Sequence, residues 1–196
     1  MELIKSTTVL LLLTFSFGLS AQVNWYTFEE AFEAQKVDPK PIMVDAYTVW
    51  CGPCKLLDKN TFGNKDVSDY LNANFYPVKF NAEGNEVVRF QGKAYDNPSY
   101  DPQRAKTRNS AHSLTRYLGV SGYPTLVFFD DMGNYITPVV GYLNPSQIEI
   151  YLKLVHLKDY ESIKSQDDFT AYIKNFKGQF KGCLLYTSDA ADESRG

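Results

Sequence analysis

The stretch Pro41-Ile-Met-Val-Asp45-Ala-Tyr47-Thr-Val-Trp50-Cys51-Gly52-Pro53-Cys54-Lys55 decides the fold. Its first half is a short apolar run between a proline-rich turn and Trp50, the pattern of a strand buried on both faces. Residues 54–60 follow with helix formers. Cys51 and Cys54 therefore sit where a buried strand turns into a helix. There the first backbone N–H groups have no intrahelical acceptor and favour a thiolate over a thiol. Cys54, one helical turn further in, is expected to be the less exposed of the two and better suited to resolve a mixed disulfide than to begin one.

Working outward, Thr27-Phe-Glu-Glu30 has the spacing of a capping box and opens an amphipathic helix over residues 28–36, ending before Asp38-Pro39. Residues 66–73 read as a short helix and 75–81 as a strand. From 82 to 113 the pattern dissolves into Gly, Asn, Pro, Tyr and Arg, a length of loop that is uncommon inside one domain. Ser113 is placed to cap a helix through Leu118. Residues 124–130 and 135–141 are strands joined at Asp131-Met-Gly-Asn134, a hairpin signal. Asn144-Pro145 is an N-cap followed by proline at the first helical position, with Ile148, Tyr151, Leu152 and Val155 at helical spacing. A last helix is expected over 166–176, capped by Ser165. This order predicts an α/β three-layer sandwich, a central mixed sheet with helices on both faces.

Both ends read as foreign to that fold. Lys5, an apolar run at 9–17 broken only by Thr14 and Ser16, and the small residues Ser20 and Ala21 form the pattern of a signal peptide over 1–21. The run is shorter than the roughly 20 apolar residues that span a bilayer, so no stable membrane insertion is expected once it is removed. Residues 183–193 follow Gly182 without helical or strand periodicity and resemble one reading frame of a sequencing-library adapter. Residues 183–196, with Cys183, are therefore set aside as a non-native tail, leaving one domain at 22–182. Of the chain's 20 cations and 23 anions, the ends hold Lys5, Arg195, Glu2, Asp189, Asp192 and Glu193, so the domain carries 18 against 19. Near-neutrality argues against nucleic acid or an anionic membrane as partner.

Two cysteines then remain, three residues apart. A zinc half-site and an inert bridge compete with redox chemistry. A structural zinc site takes about four ligands, and beyond the pair only His112 and His156 offer themselves, one in the loop and one in a helix. An inert bridge usually joins distant segments, and one closing so small a loop adds little stability. His112 and His156 are read most simply as a loop residue and a helix residue.

The motif with its flanking Trp50 and Lys55 resembles the thioredoxin family, over 41–81 and 114–157. The resemblance implies a thioredoxin-like fold and a thiol-disulfide oxidoreductase in which Cys51 attacks, Cys54 resolves, and the pair alternates between dithiol and disulfide with no further cofactor. Asp45, six residues before Cys51 in an apolar strand, is expected to have a raised pKa and to exchange a proton with Cys54. Lys79 occupies the place of the family lysine beside that carboxylate. Trp50, Gly52 and Pro53 form the face presented to substrate, and Gly122-Tyr123-Pro124-Thr125 resembles the family's cis-proline segment, where the backbone of Tyr123 is open to an extended substrate. Gly141 matches a glycine that keeps the groove open. No metal site is expected.

Two departures stand out. Ala46-Tyr47-Thr48 replaces the usual aromatic-rich approach to the motif. The insertion at about 83–113 supplies Tyr95, Tyr100, Arg104 and Arg108, available for a lid or a partner surface or else inert. Gly52-Pro53 resembles reducing thioredoxins, which implies a reductant of protein disulfides working outside the cytoplasm, in the periplasm if the source is Gram-negative and otherwise secreted. Protein thiols and disulfides would be its substrates and a membrane thiol-disulfide reductase its electron donor. A disulfide oxidase or isomerase, or a redox-inert binding module, are the alternatives.

Overall fold

The computed structural model describes residues 22–181. The expected signal peptide and the tail with Cys183 lie outside the described residues.

Helix α1 (Phe28–Val37) starts at the expected capping box: Glu30 N–H donates to Thr27 Oγ1 at 3.2 Å and Thr27 N–H to Glu30 Oε2 at 2.8 Å. Strand β1 (Ile42–Tyr47) follows. Helix α2 (Gly52–Leu56) runs directly into a π-helical turn (Leu57–Phe62), so the helix expected after Cys54 is shorter and then wider than an α-helix. The wide turn lets Thr61 Oγ1 donate to the carbonyl of Leu143 at 2.6 Å. Then come α3 (Lys65–Asn74), β2 (Tyr76–Asn81), β3 (Val88–Phe90), β4 (Lys93–Tyr95), α4 (Ser113–Tyr117), β5 (Thr125–Phe129), β6 (Tyr135–Val140), α5 (Pro145–His156) and α6 (Gln166–Asn175). Asn144 and Gln147 close a second capping box with Pro145 inside it.

The main sheet has the order β2-β1-β5-β6, with β1 parallel to β2 and antiparallel to β5, and β5 antiparallel to β6. Strand alternation splits the core in two. Ile42, Val44, Ala46, Val127 and Phe129 face α1, α4 and the insertion, whereas Met43, Leu126 and Phe128 face the π-turn, α3 and α5. Each fully buried Leu, Val or Phe of this kind contributes about 1.5–3 kcal/mol, so the two central strands anchor both layers.

The insertion is not the unpatterned loop expected from its composition. Val88-Arg-Phe90 and Lys93-Ala-Tyr95 pair as a second, two-stranded sheet, turned by Gln91 and Gly92, both at positive φ (49° and 75°), the backbone that a tight hairpin turn needs. Phe90 and Tyr95 point into the α1 core, Phe90 lying 5.7 Å from the Phe28 ring and 5.0 Å from Phe32, so Tyr95 is a core residue and not a surface contact. His112 likewise leaves the loop role expected of it. It is 1% exposed and caps α4 in place of Ser113: its Nδ1 accepts from Leu114 N–H (3.1 Å), which makes Nε2 the donor to the Glu86 carbonyl (2.8 Å).

Candidate active site

Strand β1 delivers the motif. Ala82 N–H donates to the carbonyl of its last residue, Tyr47, at 2.8 Å, and Cys51 N–H to that of Thr48 at 3.2 Å, folding Thr48 to Cys51 into a tight turn. Cys51 is the N-cap of α2, and Pro53 sits in the first turn, where its missing N–H leaves nothing unsatisfied. Cys51 and Cys54 form a disulfide with Cα atoms 5.3 Å apart, and Cys54 N–H donates to Cys51 Sγ at 3.1 Å. That N–H is a preformed partner for a thiolate at Cys51. Both cysteines are 2% exposed, so the difference in exposure expected between them is absent in the disulfide form. A side chain at Gly52 would meet nothing within 4 Å, which leaves the front of the motif open.

Behind the motif, the parallel register of β1 and β2 sets Asp45 directly opposite Lys79. Asp45 is 1% exposed; its Oδ2 accepts from Lys79 Nζ at 2.6 Å, while Oδ1 is buried with no hydrogen-bond partner among the described residues. Burial pushes its pKa from 3.8 up to about 6 against the pull of the Lys79 charge. Lys79 is shared with a second carboxylate, Asp58 Oδ1, and its ammonium is ringed by Trp25 (4.8 Å), Tyr47 (4.9 Å) and Phe62 (5.5 Å). Burial works against the ammonium, but the two carboxylates together outweigh it and hold its pKa above that of an ordinary lysine. Sequence reading missed Asp58. Its place four residues after Cys54 was visible, but its approach to Lys79 depends on how the π-turn packs on β2. The hydroxyl of Thr48 is also buried without a partner among the described residues.

On the other side, the Tyr123–Pro124 peptide bond is cis, and Gly141 N–H donates to the Pro124 carbonyl at 2.8 Å. Gly141 has φ +107° and open space where a side chain would point. The Tyr123 ring meets Trp50 edge-on, with centroids 6.0 Å apart, which seats this segment against the motif. Among the described residues the backbone N–H and carbonyl of Tyr123 take part in no hydrogen bond.

The insertion reaches the same tryptophan. Trp50 Nε1–H donates to Glu83 Oε2 at 2.7 Å, the same oxygen accepts from Asn109 N–H at 2.7 Å, and the Arg108 guanidinium lies 4.5 Å above the Trp50 ring. Glu83 and Asn109 were not readable in advance, because their partner is decided by where two distant loop ends meet. His156 is remote from this cluster and pairs with Tyr70 (2.7 Å). Among the described residues no three His, Cys, Asp or Glu side chains gather as a metal-ligand set.

A disulfide at the mouth of a strand-to-helix junction, a buried carboxylate behind it and a cis proline beside it define a thioredoxin-type site. The thioredoxin-like domain family matches residues 28–156, and the chain belongs to it. The Cys51–Cys54 disulfide lies within the matched residues. The chain is 29% identical over 117 residues to the thiol:disulfide interchange protein DsbD of Pectobacterium atrosepticum, covering 59% of this chain and 16% of that protein. It is 34% identical over 116 residues to DsbD of Tatumella citrea, with 58% and 16% covered. The chain thus spans about a sixth of the length of these relatives. A thioredoxin-fold protein from Helicobacter pylori superposes with a TM-score of 0.54 at 22% identity, covering 70% of this chain and 84% of the other, which speaks to the fold alone.

Proposed function

We propose that the protein is an exported reductant of protein disulfides that works through Cys51 and Cys54. The Cys51 thiolate attacks one sulfur of a substrate disulfide, that bond breaks, and the released substrate thiolate takes up a proton. Cys54 then gives its proton to the Asp45 carboxylate and attacks Cys51. The second substrate thiol leaves, and two electrons have passed to the substrate as Cys51 and Cys54 become the disulfide. Asp45 is the proton acceptor and Lys79 its positioning residue. Trp50, Gly52, Pro53, Tyr123, Pro124 and Gly141 form the surface on which an extended substrate lies, paired to the backbone of Tyr123. A membrane thiol-disulfide reductase regenerates the dithiol, a role compatible with the interchange proteins to which the chain is similar. No helix among the described residues is long and apolar enough to cross a membrane.

The observation that carries this reading is the Cys51–Cys54 disulfide with Cys54 N–H already directed at Cys51 Sγ. The direction of electron flow rests on Gly52-Pro53. Insulin reduction tests the reading: Cys51→Ser must abolish it, and unchanged turnover would end the argument. The equilibrium of the pair against glutathione separates reductant from oxidase or isomerase.

The grip of the insertion on Trp50 favours one second reading, a binding module whose cysteines only brace the fold. Alkylation of the reduced protein separates the two. Fast labelling of Cys51 with slow labelling of Cys54 supports exchange, and equal inertness supports bracing.

A further inference from the structure

The segment 101–109 is tied shut beside the redox motif. Asp101 N–H donates to Asn109 Oδ1 (3.0 Å), and Asn109 Nδ2 returns a bond to the Asp101 carbonyl (2.8 Å). Asn97 braces it from below through the carbonyls of Gly84 (2.9 Å) and Ser110 (2.8 Å). At its end Asn109 and Arg108 hold the Glu83–Trp50 pair already described. These bonds hold the backbone of the segment, and its Arg108 end lies against Trp50, the residue before Cys51.

Those side chains are cationic. Arg104, Lys106 and Arg108 are all exposed and, among the described residues, none forms a salt bridge; Lys55, on the helix of the motif, is also exposed and without one. Glu86 and Asp96 of the insertion are exposed outside this segment, and the other carboxylates near it are engaged. Glu83 is 8% exposed and bonded to Trp50 and Asn109, Asp101 Oδ1 accepts from Gln103 N–H, Asp45 is buried, and Asp58 is paired with Lys79. Within residues 103–109 every charged side chain is therefore positive, in a chain whose net charge is −3. A local field opposite in sign to the whole molecule selects a partner by orientation as well as by charge.

We propose that Arg104, Lys106 and Arg108 form a docking strip for a protein partner whose disulfide lies on an acidic surface. The inference rests on the exchange reading above and names the substrate class for the same site. The strip steers the acidic partner in, and the Trp50 platform, over which Arg108 lies, receives its disulfide.

The test uses the DTT-reduced, desalted protein and three substrates: a cyclic disulfide peptide flanked by glutamates, the same peptide flanked by lysines, and uncharged bis(2-hydroxyethyl) disulfide. The glutamate peptide should be reduced with a single-exchange second-order rate constant about tenfold above that of the lysine peptide at low salt, the gap shrinking as salt approaches physiological strength. Arg104→Gln with Lys106→Gln should remove most of that gap, and circular dichroism of the double variant confirms that it is folded. Equal rates on the two peptides, with bis(2-hydroxyethyl) disulfide turned over, overturn the docking strip and leave the exchange reading standing. No turnover of any substrate overturns the exchange reading, and the strip with it. Binding to phosphatidylglycerol vesicles that the double variant loses, without a peptide preference, reassigns the strip to a membrane surface and also overturns the proposal.

Discussion

Replacing Asp45 with asparagine should stabilise the disulfide form of this protein and slow its chemistry. Asp45 is 1% exposed, and burial raises its pKa from 3.8 to about 6. A carboxyl group whose folded pKa lies above its unfolded one opposes folding once it ionises. The cost is absent below about pH 4, where the group is protonated in both states. It sets in between the unfolded and folded values, 3.8 and about 6, and is fully present above them. At 1.36 kcal/mol per pKa unit this amounts to about 3 kcal/mol at pH 7–8. Asparagine keeps the shape of the protonated carboxyl without the charge, and Lys79 retains Asp58 as partner. Asp45→Asn should therefore gain up to about 3 kcal/mol at pH 8, or roughly 6–12 °C in melting temperature for a domain of this size, and nothing at pH 4. Guanidinium denaturation of wild type and variant across pH 4–8 measures the difference. A variant no more stable than wild type at pH 8, or equally stabilised at pH 4, would refute the account of Asp45. In turnover the same variant should lose about a hundredfold or more in the resolution step, the general-base contribution of one positioned group.

Glu83→Ala leaves Trp50 Nε1–H and Asn109 N–H without their shared acceptor and should cost about 1–3 kcal/mol, with hydrogen exchange rising in 98–110 before the rest of the chain. Phe90→Ala should destabilise the whole domain by about 3–5 kcal/mol, because Phe90 packs on Phe28, Phe32 and Phe129; unchanged denaturation would show that the hairpin is an appendage. Gly141→Ala meets no neighbouring atom but must hold φ +107°, so a loss of about 1–3 kcal/mol in denaturant unfolding is expected from backbone strain alone.

Much of the fold is legible in the chain because it is set by neighbours in sequence. The capping boxes at Thr27/Glu30 and Asn144/Gln147 need only residues three apart, and the uniformly apolar Ile42-Met-Val and Leu126-Val-Phe-Phe129 runs announce strands covered on both faces. The hairpin of Val88–Phe90 and Lys93–Tyr95 was legible in principle from its alternation about Gln91-Gly92. It was hidden by the polar, proline-rich residues that follow it. His112 could not be read as a cap, because its value as one depends on burial under the insertion and on the Glu86 carbonyl brought to its other nitrogen.

The site divides in the same way. Cys51, Cys54 and the strand-to-helix turn that joins them are contained in one continuous stretch, so the sequence by itself determines that a disulfide at a helix start is available here. Tertiary structure alone decides what surrounds it. The register of β1 on β2 sets Lys79 against Asp45, the π-turn brings Asp58 to the same ammonium, and the insertion carries Glu83, Arg108 and Asn109 back onto Trp50. These contacts join segments tens of residues apart. Their geometry follows from how two sheet faces pack, and no local pattern encodes it.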